Sequence, residues 1–143
     1  ISSKNISDVT GISDFVALEL LDLYNNQVTS LDLSNNPLLK SLTIYNNQIS
    51  NLDLSNNTAL EFLFAFNNPL GSLDLTNNPA LIFLNAGSCG LSTIDLSNNT
   101  LLENLYVHSN QLNSLDLSTN VNLITLLTEG NPLGSLNLSN NTA

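Results

Sequence analysis

The stretch Leu39-Lys-Ser-Leu-Thr-Ile-Tyr-Asn-Asn-Gln-Ile-Ser-Asn-Leu52 sets the pattern of the whole chain. Its skeleton is L-x-x-L-x-L-x-x-N-x-L, and this skeleton returns at a spacing of 21 residues. The spacing is clearest in one column of leucines: Leu21, Leu42, Leu63, Leu84, Leu105 and Leu126. Because a fixed period of this length is the signature of a solenoid, the repeat decides the fold before any local propensity does.

Each period contains the motif twice. Its second half, seen in Leu52-Asp-Leu-Ser-Asn-Asn57, again reads L-x-L-x-x-N, so one coil has two extended segments and two turns. Both leucines of an extended L-x-L segment point to one face, and stacked coils place equivalent strands side by side, about 4.8 Å apart. We therefore expect a β-rich solenoid with a parallel sheet on its concave face. The convex side should hold short extended or 3-10 segments, with little or no α-helix.

A column of asparagines follows the first strand of each coil: Asn26, Asn47, Asn68, Asn110 and Asn131, with Cys89 in the same position once. An amide both donates and accepts, so an inward asparagine can satisfy backbone groups that the turn removes from the sheet. We also expect the stacked amides of this column to hydrogen-bond one another, and Cys89 to act as a small apolar filler.

The skeleton, with Asn or Cys at its ninth position, resembles the leucine-rich repeat. The 21-residue form with a nested Leu-Asp-Leu-Ser-Asn-Asn half is similar to repeats of bacterial secreted and surface proteins, including internalin-like proteins. The resemblance covers residues 18–143, with Ala65, Ala86 and Thr128 as its weaker inner matches. It implies a non-enzymatic binding or adhesion module of an extracellular or cell-surface bacterial protein, and it names no partner.

Residues 1–17 depart most from the repeat, and we expect them to form an N-terminal cap-like segment. Ile12 and Phe15 fall in register with the second half of a repeat, and their apolar side chains could close the open end of the core. Residues 18–143 then form a solenoid of about six repeats. The chain stops partway through a repeat, which predicts truncation at the C-terminus because solenoid ends normally carry a polar cap.

Composition and charge exclude several classes of partner. The formal net charge is −10, with only two Lys or Arg residues, so nucleic acid and anionic membrane surfaces should be repelled. No apolar run approaches the roughly 20 residues of a membrane span. A single cysteine gives neither an internal disulfide nor a multi-cysteine metal site, and nothing in the sequence calls for a cofactor.

Aromatic residues concentrate in the three columns that should point outward from the sheet. Of five Phe and three Tyr residues, only Phe15 lies elsewhere. The candidate binding residues are Tyr24, Tyr45, Phe62, Phe64, Phe66, Phe83 and Tyr106, with His108 beside them. Soluble proteins rarely display such a patch uncovered, and aromatic residues are favoured interface anchors, so we predict a protein-binding surface.

Three alternatives remain for this patch. Sugar rings also stack on aromatic side chains, which would make the chain a carbohydrate-binding module. The chain could instead be a structural spacer that self-associates through the same face. Aromatic residues also simply suit a pleated surface, where they stack along neighbouring strands.

Two further groups of residues have plainer interpretations. One is an aspartate column: Asp32, Asp53, Asp74, Asp95 and Asp116, ended by Asn137. Calcium could offset the repulsion between its carboxylates, but hydrogen bonds from adjacent Ser or Thr residues and turn amides are the favoured explanation. The other is His108 with Glu129 on the next coil, for which we predict a solvated ion pair. We predict no catalysis there, because no nucleophile beyond Ser109 accompanies the pair.

Overall fold

The computed structural model describes residues 1–142, which wind into a solenoid with one short strand in each coil. The strands are β1 (Leu20–Asp22), β2 (Ser41–Thr43), β3 (Phe62–Phe64), β4 (Phe83–Asn85), β5 (Asn104–Tyr106) and β6 (Thr125–Leu127). They form one parallel sheet in chain order. Within these residues the only helical element is a 3-10 turn, Ile12–Asp14. The predicted fold class is confirmed.

The sheet keeps one register from end to end. Leu21 pairs with Leu42, Leu42 with Leu63, and so on to Leu126, with no slip between neighbouring strands. The central residue of each strand points inward, and Leu42 and Leu63 are completely buried. Since each coil buries its leucines against the coils on either side, the core exists only between stacked coils.

A residue with left-handed backbone conformation lies in the turn that follows each strand. Asn46, Asn67 and Ser88 have φ angles of 56°, 57° and 54°, a region that asparagine tolerates better than most residues. The following residue then points inward. This change of direction explains the Asn-Asn pairs in the sequence.

Asn68 shows what the inward asparagine does. Its Oδ1 accepts a hydrogen bond from the Ile49 N–H at 3.1 Å, and its Nδ2 donates to the carbonyls of Ile44 and Ala65, both at 2.9 Å. The predicted backbone role of this column is confirmed.

The predicted bonding between amides of that inner column is wrong. Within residues 1–142 the inner amides use their groups on the backbone, and the exposed neighbouring column forms the side-chain ladder instead. Asn46 donates to Asn25 at 2.6 Å, and Asn67 donates to Asn46 at 2.7 Å. Cys89 fills the inner position with its Sγ atom 3.4 Å from the carbonyl oxygens of Ala65 and Gly87.

A second asparagine column ties the convex turns together. Asn57 donates from Nδ2 to the carbonyls of Leu33 and Asn36 on the preceding coil, at 3.1 and 2.9 Å. Asn36 donates in the same way to Ile12 and Phe15, so the N-terminal segment follows the register expected of it. The division of the chain at residue 17 remains a prediction.

The expected role of Phe15 in closing the core is wrong. Val9 and Ile12 pack against the core, whereas the Phe15 side chain is 62% exposed. Phe15 occupies the position that a small inward amide fills in later coils. We attribute its outward orientation to the lack of room for a phenyl ring there.

No helix among residues 1–142 has the length and apolar character needed to cross a lipid bilayer.

Candidate functional site

The outward side of the six-stranded sheet is called the sheet face here. Apart from the buried Gly87, every residue on it is exposed or half-buried, as alternation along a strand requires. Its columns are Leu20, Ser41, Phe62, Phe83, Asn104 and Thr125; Asp22, Thr43, Phe64, Asn85, Tyr106 and Leu127; and Tyr24, Tyr45, Phe66, Gly87, His108 and Glu129. The predicted outward placement of the aromatic residues is therefore correct. Their role in binding remains a prediction.

Three rings of the third column form a ring ladder. The Tyr24 and Tyr45 centroids lie 4.7 Å apart and those of Tyr45 and Phe66 lie 4.4 Å apart, with 9° between the ring planes in both pairs. Tyr45 is thus covered on both faces. Burial raises the pKa of the Tyr45 hydroxyl, and the charges of Tyr24 and Asp22 raise it further. At Tyr45 the ladder therefore presents a ring edge and a hydroxyl, rather than a ring face, to solvent.

A second group of rings, here called the Phe83 cluster, crosses three coils. Phe64 and Phe83 stack with centroids 4.6 Å apart, and Phe83 meets Tyr106 edge to face at 5.2 Å. Phe62 stands in the same column as Phe83, one coil earlier, and is 36% exposed. The six aromatic residues from Tyr45 to Tyr106 therefore belong to one continuous region of the sheet face.

His108 fills a gap in the third column. Gly87 has no side chain, and a Cβ placed on it would overlap the imidazole of His108. The ring therefore lies over the Gly87 backbone, towards the preceding coil, with its Nδ1 atom buried and without a partner among residues 1–142.

The predicted ion pair between His108 and Glu129 is wrong. The one salt bridge among the described residues joins Lys40 and Glu19 at 2.9 Å. The physical reason lies at Gly87, because the space above this glycine draws the His108 imidazole away from the coil that carries Glu129.

Carboxylates outnumber cations beside the sheet face. Glu61 and Glu103 directly precede β3 and β5, and Glu129 lies two residues beyond β6. We call these three residues the acidic margin. None of their side chains takes part in the hydrogen bonds or salt bridges formed within residues 1–142. Lys40 lies close enough to Glu61 for that carboxylate to raise the lysine pKa, but its salt bridge is with Glu19. Since this one lysine offsets only part of the negative charge, the margin leaves the sheet face with a net negative potential.

The aspartate column lies outside the sheet, on the second half of each coil. Asp53 Oδ1 accepts a hydrogen bond from the Ser55 N–H at 2.9 Å, and Asp32, Asp74, Asp95 and Asp116 do the same with the residue two positions on. The Ser55 hydroxyl and amide hold the pKa of the Asp53 carboxyl below its usual value. These are the hydrogen bonds that the sequence predicts. No group of three or more His, Cys, Asp or Glu residues within positions 1–142 is arranged to hold a metal ion.

Some features of the site escape the repeat pattern. Alternation places the rings outward, but it does not show that ladder rings cover one another or that His108 tilts over Gly87. The acidic margin has a weak signal, because Glu61 and Glu103 share one position of the period two coils apart. The glycine is signalled only by its place in a column that otherwise carries large side chains.

These features define the chain as a leucine-rich-repeat protein with coils of 21 residues. It is similar to the functional domain of InlJ from Listeria monocytogenes, which includes a cysteine ladder, with a TM-score of 0.90 and 32% identity over 92% of this chain and 29% of that one. It is also similar to an internalin, InlF, from L. monocytogenes, with a TM-score of 0.90 and 29% identity over 96% of this chain and 43% of that one.

A leucine-rich-repeat protein of Leptospira interrogans matches with a TM-score of 0.82 and 25% identity, over 86% of this chain and 34% of that one. The chain thus spans less than half the length of these three structures. No protein-family model and no curated protein sequence matches it.

Proposed function

We propose that this chain is a non-catalytic module that binds a protein partner on the sheet face. The observation that carries the proposal is the gathering of seven of the eight aromatic residues on this one side. A leucine-rich-repeat solenoid offers an extended surface for recognition, and leucine-rich repeats are generally protein-interaction modules. Aromatic side chains supply large contact areas at low entropic cost, which suits them to anchor such an interface.

The ring geometry favours a protein over a sugar as the partner. A sugar stacks on the open face of an aromatic ring, but Tyr45 has both faces covered and Phe64 is stacked against Phe83. What the ring ladder presents instead is a ridge of edges and hydroxyls. Such a ridge fits between the side chains of a polypeptide better than against the flat side of a pyranose.

The proposed setting is the bacterial cell surface or the extracellular medium, with adhesion or recognition as the role. The support is the similarity to the Listeria internalins InlJ and InlF. Since the chain spans only 29% and 43% of those two structures, the activity of a whole protein of that kind is part of the same proposal.

The test is capture with the variant Phe64→Ser/Phe83→Ser, which removes the stacked pair at the centre of the Phe83 cluster. Extracellular proteins bound by the wild-type chain would be identified by mass spectrometry and then titrated in purified form. We expect the variant to bind at least tenfold more weakly, because central aromatic anchors each contribute about 1–4 kcal/mol.

The matched control is Leu38→Ser/Leu101→Ser, which also removes two exposed apolar side chains. Both leucines are 51% exposed, and both lie on the convex turns. Circular dichroism and thermal melting would verify that each variant folds. Equal binding by wild type and the Phe64→Ser/Phe83→Ser variant would refute the sheet face as the binding surface.

A further inference from the structure

The partner must complement ring edges in the ladder rather than ring faces. An aromatic ring has a negative face and a positive edge, so a cation seeks the face. In the ring ladder the faces of Tyr45 are occupied by Tyr24 and Phe66 at 4.7 and 4.4 Å. Aliphatic groups, carbonyl oxygens and the faces of a partner's own aromatic rings complement the remaining edges. The anchor that packs there is therefore apolar or aromatic.

The surroundings of the same face call for positive charge. Glu61, Glu103 and Glu129 form no salt bridge or side-chain hydrogen bond within residues 1–142, and Asp22 lies close enough to Tyr45 to raise the pKa of its hydroxyl. Carboxylates grouped around an apolar region attract cationic groups at its rim and speed their approach. In a segment with an apolar anchor flanked by lysine or arginine, the anchor would pack on the rings and the cations would pair with the acidic margin.

Charge also decides against a second copy of this chain. Each copy carries a net charge of −10 with two lysines in all, and Lys40 is already paired with Glu19. Two sheet faces brought together would oppose their acidic margins with nothing to neutralise them. Like charges brought together at an interface cost several kcal/mol. A second copy of the chain is therefore a less favourable partner for the sheet face than a basic protein segment.

We infer that the sheet face recognises a basic protein segment, in which an apolar or aromatic anchor is flanked by lysine or arginine residues. This inference rests on the proposed function and specifies its partner.

The probe is a displayed library of random 12-residue peptides, selected on the immobilised wild-type chain at low ionic strength. The enriched peptides would be synthesised and titrated against two triple variants. Glu61→Gln/Glu103→Gln/Glu129→Gln removes the acidic margin. Asp53→Asn/Asp74→Asn/Asp95→Asn removes the same number of charges from the aspartate column.

The control is structurally conservative, because the chain itself carries an asparagine at the end of this column. Asn137 Oδ1 accepts a hydrogen bond from the Ser139 N–H at 3.0 Å. Each aspartate of the column likewise accepts a hydrogen bond from the N–H of the residue two positions later. The Asp→Asn variant should therefore keep its turns while losing charge. Any general effect of net charge would appear equally in both triple variants.

We expect the enriched peptides to carry a net positive charge and at least one large apolar or aromatic residue. Loss of the acidic margin should weaken their binding by about tenfold at low salt, and loss of the aspartate charges by about twofold or less. Raising the ionic strength should remove the difference between the two variants, because exposed charges are screened.

Three results would overturn the inference, and they differ in what they say about the proposed function. Neutral or acidic peptides that lose binding to Phe64→Ser/Phe83→Ser would leave the sheet face as a binding surface but refute a basic partner. Peptides that bind this variant as well as wild type would refute the sheet face itself, and an absence of enrichment would count against both.

Discussion

Asparagine performs two different tasks at adjacent positions of each turn. Asn67 adopts the left-handed backbone conformation with a φ of 57° and stays exposed, whereas Asn68 is buried and hydrogen-bonds three backbone groups. A single residue type serves both because its side chain is short, polar and able to donate and accept. The Asn-rich, charge-poor composition is thus a consequence of turn geometry repeated in every coil.

Cys89 should make the chain less stable at alkaline pH. Burial raises the pKa of its thiol from an ordinary value of 9.0 to about 11, and the thiol of the unfolded chain keeps the ordinary value. Between these values the unfolded chain loses the proton and the folded chain holds it, so the free energy of unfolding falls as the pH rises. The loss should approach about 2 kcal/mol near pH 10 to 11. Urea unfolding at pH 7.5, 9 and 10, under reducing conditions, measures it.

The variant Cys89→Ala isolates the thiol from other groups that titrate at high pH, including the Tyr45 hydroxyl, whose pKa is also raised. Its stability should change less between pH 7.5 and 10 than that of the wild type. Identical pH dependence of the two proteins would show that Cys89 does not stay protonated when folded.

At the scale of the element, Gly87 determines how the third column is filled. The variant Gly87→Ala places a methyl group where the His108 imidazole lies, so the ring must leave its position over the backbone. Overpacking of this kind typically costs about 1–3 kcal/mol, and we expect the lower end because the His108 ring can move towards solvent. Chemical denaturation gives the loss, and the NMR shifts of the His108 ring report its displacement.

The double variant Gly87→Ala/His108→Ala serves as the control. Removing the ring should recover most of the stability lost through the methyl group, since the two groups compete for one space. If Gly87→Ala leaves both the stability and the His108 shifts unchanged, the proposed position of the ring is incorrect.

The sequence predicts the strands, their register and their inward leucines, because these follow from the period of 21 and from alternation. It does not predict the orientation of a side chain where the space between coils allows more than one. Phe15 turns outward although its backbone keeps the repeat pattern, and His108 turns towards Gly87 rather than Glu129. Both outcomes depend on local space between coils, which a pattern of residue types does not specify.

At the scale of the whole molecule, self-repulsion should limit stability. The net charge is −10, and five aspartates stand in one column at the spacing of the strands. Since salt screens exposed charges over about 10 Å at 0.1 M, 0.5 M NaCl should raise the melting temperature by about 3 °C or more relative to 20 mM NaCl. Thermal melting followed by circular dichroism measures this change.

The variant Asp53→Asn/Asp74→Asn/Asp95→Asn provides the comparison, because it keeps the turn hydrogen bonds and lowers the charge of the column. Its melting temperature should be higher than that of the wild type at 20 mM NaCl and should respond less to salt. A wild-type melting temperature that does not rise with salt would argue that the serine and threonine hydrogen bonds already offset the repulsion.

The ring ladder and the Phe83 cluster have an optical consequence. The chain has no tryptophan, and its three tyrosines all lie on the sheet face. Ultraviolet emission excited near 280 nm therefore originates from that surface alone, with Tyr24 and Tyr45 coupled in one stack and Tyr106 at the other end. The native chain carries its own label-free reporter there, and a ligand without chromophores can be followed by it.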